Sequence, residues 1–139
     1  MEWTDGAYKI SSDKSLLSVD RTHTLLSRCL WGGERSKENI RMSIEHSICY
    51  GVFHGGTQIG FARVVTDLAT VYWLCDVFIE EAHRGKNLGK RLIRCVVETP
   101  ELKGLLGILA TNDAHGLYEK YDFVRDSRQF MLRPRAPRE

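Results

Sequence analysis

The densest run of chemically capable residues in this chain is AHRGKNLGKRL, at 82–92, where two glycines stand among histidine, arginine and lysine side chains. It lies between an apolar, strand-like stretch and an amphipathic, helix-like one. Exposed backbone N–H groups and the positive end of a helix dipole meet at such a turn, and together they hold anions, phosphate above all. The run is not a P-loop, because Glu80 stands where the first glycine would be and Asn87 where a hydroxyl would bind magnesium. Nor is it a dinucleotide fingerprint: Gly85 and Gly89 are four apart and no G-x-G exists. A helix start with a solvated basic face fits the same letters, so the turn alone does not decide.

The second unusual residue is Asp76, flanked by Leu74, Cys75, Val77 and Phe78. A carboxylate in an apolar strand is costly unless it has partners or work to do. Two roles stay open: a structural carboxylate bonded to a neighbouring element, or a carboxylate with chemistry to do. The four cysteines, Cys29, Cys49, Cys75 and Cys95, form no C-x-x-C pair, so they read as reduced, mostly buried thiols with no metal site. Cys75 has no assignable histidine partner and reads as a core residue. Asp67 reads as a turn former, and Trp31 and Trp73 as core residues rather than walls of a pocket.

The elements that would position these residues follow from periodicity. A short strand is expected near 7–11. Val19, His23, Leu26 and Leu30 recur at helical spacing until Gly32 and Gly33, and a second helix is expected over 36–46. ICYGVFH, TQIGFARVV and TVYWLCDVFI then read as a three-strand antiparallel meander, with a hairpin at Gly55 and Gly56. A helix over 85–97 buries Leu88, Leu92, Ile93, Val96 and Val97 and is stopped by Pro100. LLGILAT is expected as a buried strand, 113–121 as a short helix, and FVRDSRQFMLR as one or two last strands. The order is α/β or α+β with a mixed sheet.

With 139 residues, 42% hydrophobic and 27% charged, the chain is expected to be one domain over 1–139, with 134–139 a frayed tail. No apolar run reaches the roughly 18 residues of a membrane span, and the first residues lack a signal-peptide pattern, so a cytoplasmic protein is expected. A net charge of +2 is too small for a general nucleic-acid or membrane binder.

Two segments carry a family resemblance. Arg84-Gly85-Lys86-Asn87-Leu88-Gly89 resembles the acetyl-CoA loop [QR]-x-x-G-x-[GA] of the GCN5-related N-acetyltransferase (GNAT) superfamily, and it follows a strand ending VFIEE. About 25 residues on, Ala114 to Phe123 resembles that family's A-x-x-L-Y-x-x-x-G-F element. The resemblance covers essentially the whole chain. It implies a GNAT-type fold: a mixed, mostly antiparallel sheet of six to seven strands with about four helices, in the order β-α-α-β-β-β-α-β-α-β. Two positions depart from the pattern, Asn87 and Asp122 standing where the family has glycine. Asn and Asp are the least penalised non-glycine residues in left-handed backbone, so both turns can form.

The resemblance further implies direct acetyl transfer from acetyl-CoA, without a metal, to the primary amine of a small molecule such as an alkylamine or polyamine. A protein lysine or N-terminus as acceptor, and a non-catalytic acyl-CoA sensor, are the alternatives; a monomer or homodimer is implied. The central strand and the LLGILAT strand are expected to splay at one end. Val77, Phe78 and Ile79 would line the coenzyme, the Val77 N–H polarising the acetyl carbonyl. Arg84, Gly85, Lys86, Asn87, Leu88, Gly89 and Lys90 would surround the pyrophosphate. Thr111, Asn112, Ala114 and Tyr118 would complete the coenzyme side, with Tyr118 as general acid to the departing thiolate. Asp76 is the candidate for handling the amine. Strict alternation sets it on the face opposite Val77, but the distortion that frees the Val77 amide can redirect it.

Overall fold

The computed structural model describes residues 1–29, 35–126 and 129–134. Strands β1 (Glu2–Asp5), β2 (Tyr8–Ser11), β3 (Ile48–His54), β4 (Thr57–Thr66), β5 (Val71–Ile79) and β6 (Leu106–Ile108) lie side by side in chain order. Every pair is antiparallel except β5 with β6, which is parallel. Two tight connections make the meander. Gly55 and Gly56, at φ 56° and 87°, close the β3–β4 hairpin. Asp67 closes the next turn by accepting from the amides of Thr70 at 2.7 Å and Ala69 at 2.9 Å. Bonds from Thr70 and Ala69 hold its carboxyl well below the usual range.

Helices α1 (Val19–Leu26), α2 (Lys37–Glu45), α3 (Leu88–Val97) and α4 (His115–Glu119) cover the sheet. Period-two alternation sorts the strand residues into two faces. Tyr50, Val52, Ala62, Val64, Tyr72 and Leu74 pack with Leu88, Leu92, Ile93 and Val96 of α3. Cys49, Phe61 and Phe78 pack on the other side with Leu26 of α1 and with Ile40 and Ile44 of α2. The α1 and α2 N-termini are capped by serine: Ser18 Oγ accepts from Arg21 N at 3.0 Å, and Ser36 Oγ from Asn39 N at 3.1 Å.

Five features differ from the sequence expectations. The helix expected from residue 85 starts at Leu88, because Gly85 (φ 80°) and Asn87 (φ 61°) take left-handed backbone that a right-handed helix cannot include. The LLGILAT strand shrinks to Leu106–Ile108, and the following helix to His115–Glu119. Strand β1 was not expected; its EWTD lacks alternation, and pairing with β2 across Gly6 at φ 59° makes it a strand. The expected last strands are absent from the described residues 123–126 and 129–134. There Phe130 stacks on Trp73 instead, ring centroids 6.0 Å apart. Leu30, Trp31, Gly32 and Gly33 of the first expected helix end, Ser127 and Arg128 of the tail strand, and 135–139 lie outside the described residues.

Gly60 sits where three strands crowd together. A Cβ there would lie 2.8 Å from Ile79 Cδ1, 2.9 Å from the Phe78 carbonyl oxygen and 2.9 Å from Val52 Cβ. Because one of these atoms is sheet backbone, Gly60→Ala is expected to cost about 1–3 kcal/mol of stability, read by urea unfolding. An unchanged midpoint would mean that the strands have slack at this point.

Candidate active site

Strand β5 is interrupted where the chemistry was expected. Arg63 pairs with Cys75 and Phe61 with Phe78, so three steps along β5 match two along β4. This is a bulge, and Asp76 and Val77 are its unpaired residues. Asp76 takes φ 55°. On strict alternation Asp76 would join Leu74 on the α3 face; instead its carboxylate meets Arg63, the cross-strand partner of Cys75, on the α1/α2 side. Val77 then packs with the α3-side cluster and Phe78 with the α1/α2-side cluster. The one-residue insertion thus turns Asp76 around without disturbing the pattern on either flank.

The carboxylate is buried and fully engaged. Arg35 donates to Asp76 from Nη1 at 2.6 Å and from Nη2 at 2.8 Å, and Arg63 Nε donates at 2.9 Å. The Asp76 side chain is 2% exposed, those of Arg35 and Arg63 14% and 15%. Burial pushes the carboxyl pKa up, but the hydrogen bonds from Arg35 and Arg63 and the guanidinium charges outweigh it, and the net shift is downward. A carboxylate so held is a weak proton acceptor at neutral pH. Arg63 Nη1 also donates to Ser47 Oγ at 3.2 Å. Just beyond β5 the arrangement recurs: Glu80 pairs with Arg21, and with Arg28 at 3.3 Å. Cys75, next to the bulge, has its thiol pushed up to about 11 by burial, so it is no nucleophile at neutral pH.

The glycine turn presents a row of unused donors. Among the described residues, the six successive amides from Gly85 to Lys90 donate to no protein acceptor, and the first bond across the start of α3 runs from Arg91 N to Asn87 O at 3.0 Å. Unlike α1 and α2, this helix start has no side-chain cap and no acidic residue in its first turn. Gly85 and Gly89 leave open space where a Cβ would stand. Arg84 folds back, its Nε donating to the Ile79 carbonyl at 2.9 Å and its guanidinium lying 5.2 Å from the Phe78 ring centroid. Lys86 is exposed. Lys90 lies close enough to Lys120 to lower the latter's pKa, so two cations gather where α3 begins.

The remaining expected residues flank a gap in the sheet. Only Val71–Trp73 of β5 pair with β6, so among the described residues the rest of β5 has no partner strand on that side. Thr111 Oγ1 accepts from Ala114 N at 3.1 Å and shapes the entry to α4, with Asn112 exposed between them. Tyr118 is buried in the cluster against which Val77 packs, its ring edge-on to Phe123. Its hydroxyl makes no hydrogen bond to a described residue yet is not sealed from solvent. Burial and then Asp113 raise its pKa, so it keeps its proton at neutral pH. Asp122 takes φ 69°, the left-handed backbone that its place in the motif called for.

Arg63, Arg35, Ser47 and Lys120 were not singled out in the sequence. Counting back from the turn at 67–70 would have set Arg63 beside Cys75, within reach of Asp76. Arg35 carried no such signal, because it arrives from the connection between α1 and α2.

Comparison with known proteins gives this geometry its class. The acetyltransferase (GNAT) domain model matches residues 45–125. A Gibberella zeae protein named "Putative acetyltransferase" is 29% identical, over 92% of this chain and 85% of its own. A Xanthomonas campestris crystal structure described in the same terms, and as belonging to the GNAT family, is 39% identical. It covers 91% of this chain and 92% of its own, with a TM-score of 0.86. A Clostridium acetobutylicum acetyltransferase solved with acetyl-CoA shares the fold at 12% identity, covering 91% and 94% of the two chains, with a TM-score of 0.67. The chain belongs to the GNAT acetyltransferase family, and as a member it is an acetyltransferase enzyme.

Removing one member of a buried ion pair leaves its partners uncompensated, so Asp76→Ala is expected to destabilise the fold by about 3–5 kcal/mol. The pH dependence has a definite sign. Asp76 titrates below its ordinary value of 3.8 in the folded state, so its contribution is present above that value and is lost as pH falls through the lowered one. Urea unfolding of both proteins between pH 7 and pH 2 is expected to show the gap between them narrowing only at the acid end. A gap that is constant across this range would show that the ion pairs contribute nothing.

Proposed function

We propose that this chain, as one domain acting in the cytoplasm, moves the acetyl group of acetyl-CoA directly to the primary amine of a small molecule. The observation that carries the reading is the row of six unused amides at the α3 start. It stands beside a strand that is bulged at Asp76 and Val77 and unpaired on its β6 side. Donor rows of this kind suit a pyrophosphate, and open strand edges suit the amide-bearing pantetheine arm. The Clostridium acetobutylicum protein with acetyl-CoA supports this donor at the level of the fold.

The amides of Gly85, Lys86, Asn87 and Gly89 receive the phosphates, with Arg84, Lys86 and Lys90 near them; the Leu88 side chain anchors the turn in the core. Backbone groups of Val77, Phe78 and Ile79 receive the acetyl and pantetheine end, the Val77 N–H polarising the acetyl carbonyl. Thr111, Asn112 and Ala114 border the other wall. Bound acetyl-CoA supplies an acetyl group activated as a thioester: the C–N bond forms, the C–S bond breaks, coenzyme A leaves as a thiolate, and the nitrogen gives an N–H proton to water as it becomes an amide. Tyr118, protonated at neutral pH, donates its proton to that sulfur and regains one from the water that took the nitrogen's proton. The amine, with a pKa near 10.4, gives up its proton to solvent as it enters. Asp76 acts as a positioning residue that holds Arg35 and Arg63 around the bulge.

Two measurements test this. Acetyl-CoA is expected to raise Tm, and pantetheine alone to raise it much less; Gly89→Asp is expected to abolish the rise by bringing bulk and charge to the phosphates. Equal stabilisation by pantetheine would refute the loop assignment. Tyr118→Phe is expected to keep the acetyl-CoA Tm rise and to lower kcat by roughly ten- to a thousand-fold, read by free-thiol release. An unchanged kcat would return Tyr118 to a packing role.

A further inference from the structure

The α1/α2 face of the sheet is apolar beyond the reach of its two helices. Their apolar side chains cover Cys49, Phe61 and Phe78. Next along this face come Arg63, Cys75 and the Asp76 carboxylate, and beyond them Val65, Trp73 and Ile108 stand side by side in register on three neighbouring strands. Tyr72 packs in the α3-side cluster, so Trp73, the next residue of the strand, turns to the opposite face. Phe130 lies on Trp73 with the ring planes 21° apart.

Trp73 is not the core residue that its type suggests. It is half-buried, and neither it nor Val65, Ile108 or Phe130 packs in either core cluster. Its Nε1 donates to no described residue and is not sealed from solvent. Val65 is 43% exposed and Phe130 48%, so the patch is not closed by the described residues. Apolar surface left open beside a reaction site rewards a ligand that covers it, and flat rings in offset stacking gain more than their area alone.

The patch also lies where the second substrate enters. Tyr118, which meets the departing sulfur, is in the α3-side cluster, and the start of α3 takes the phosphates. With the coenzyme and its acid on that side, the side left for the amine is the α1/α2 face. Trp73 and Val77 are four residues apart on β5, about 13 Å at the rise of a strand. A ring joined to its nitrogen by a short alkyl chain spans this gap once the acetyl group and a ring-to-ring contact of about 5 Å are taken off.

Resting on the acetyl-transfer reading, we infer that the acceptor is an amine carried on a short chain from an aromatic ring, and that Trp73 and Phe130 bind the ring. Val65 and Ile108 form the floor on either side of Trp73.

The test is free-thiol release with phenethylamine and tryptamine against ethylamine, which lacks the ring, and 2-cyclohexylethylamine, which has bulk without aromaticity. At least one aromatic amine is expected to show kcat/KM about tenfold or more above ethylamine and severalfold above 2-cyclohexylethylamine. Trp73→Ala is expected to raise KM for that amine about tenfold, more than it lowers kcat and more than it raises KM for ethylamine. The acetyl-CoA Tm rise checks that the variant is folded. If Trp73→Ala does not fold, Phe130→Ala, whose side chain stands outside both core clusters, takes its place with the same expected direction. Turnover of ethylamine or 2-cyclohexylethylamine equal to or above that of both aromatic amines overturns the inference and leaves acetyl transfer standing. Absence of amine-dependent thiol release with every member overturns the transfer reading and this inference with it.

Discussion

A left-handed aspartate in the middle of a strand is a local cost, about 1–2 kcal/mol for a non-glycine residue, and it persists only where the surroundings enforce it. At Asp76 the enforcement comes from two arginines reaching in from different parts of the chain, Arg63 from the neighbouring strand and Arg35 from the connection before α2. Their grip on the carboxylate holds the bulge, and the bulge leaves Asp76 and Val77 out of register with β4. The same ion pairs tie the connection after α1 to the middle of the sheet. Loss of any one member therefore bears on the shape of β5, on the placement of α1 and α2, and on the charge of the site together.

Past the C-terminal end of β5 the chain leaves donors unused instead of satisfying them. Serine caps close the starts of α1 and α2, while α3 begins on Asn87 in left-handed backbone with no cap at all. A helix start of this kind forgoes the stabilisation that a cap gives, commonly near 1 kcal/mol, and leaves the positive end of its dipole and its amides without a protein acceptor. Asparagine in place of the family's glycine is compatible with this arrangement. The main-chain N–H is what the turn presents, and Asn87 retains it.

The two ends of β5 differ in what they ask of side chains. At the α3 turn, backbone makes the site, so Gly85, Leu88 and Gly89 serve by conformation and packing. On the α1/α2 side, charged side chains make it, and they come from α1, from its following connection and from β4.

Much of this was legible in the sequence because it rests on local rules. Alternation marked β3, β4 and β5, apolar residues at helical spacing marked α1 and α2, and the glycine turn followed by an amphipathic run marked α3. Two short motifs carried the family. The left-handed backbone at Asn87 and Asp122 was readable because few residues other than Asn, Asp and Gly tolerate it. The partners of Asp76 were not readable in the same way. Period two alone assigns it to the α3 face, and a bulge is a property of two strands in register rather than of one strand's residues. Arg35 meets Asp76 across 41 positions of chain, and only the packing of α1 and α2 on the sheet brings them together. The sequence by itself determined the central strands, the first three helices and the glycine turn, where each residue acts on near neighbours. The direction of Asp76 and its two arginine partners were decided by tertiary structure, because long side chains from distant segments converge there.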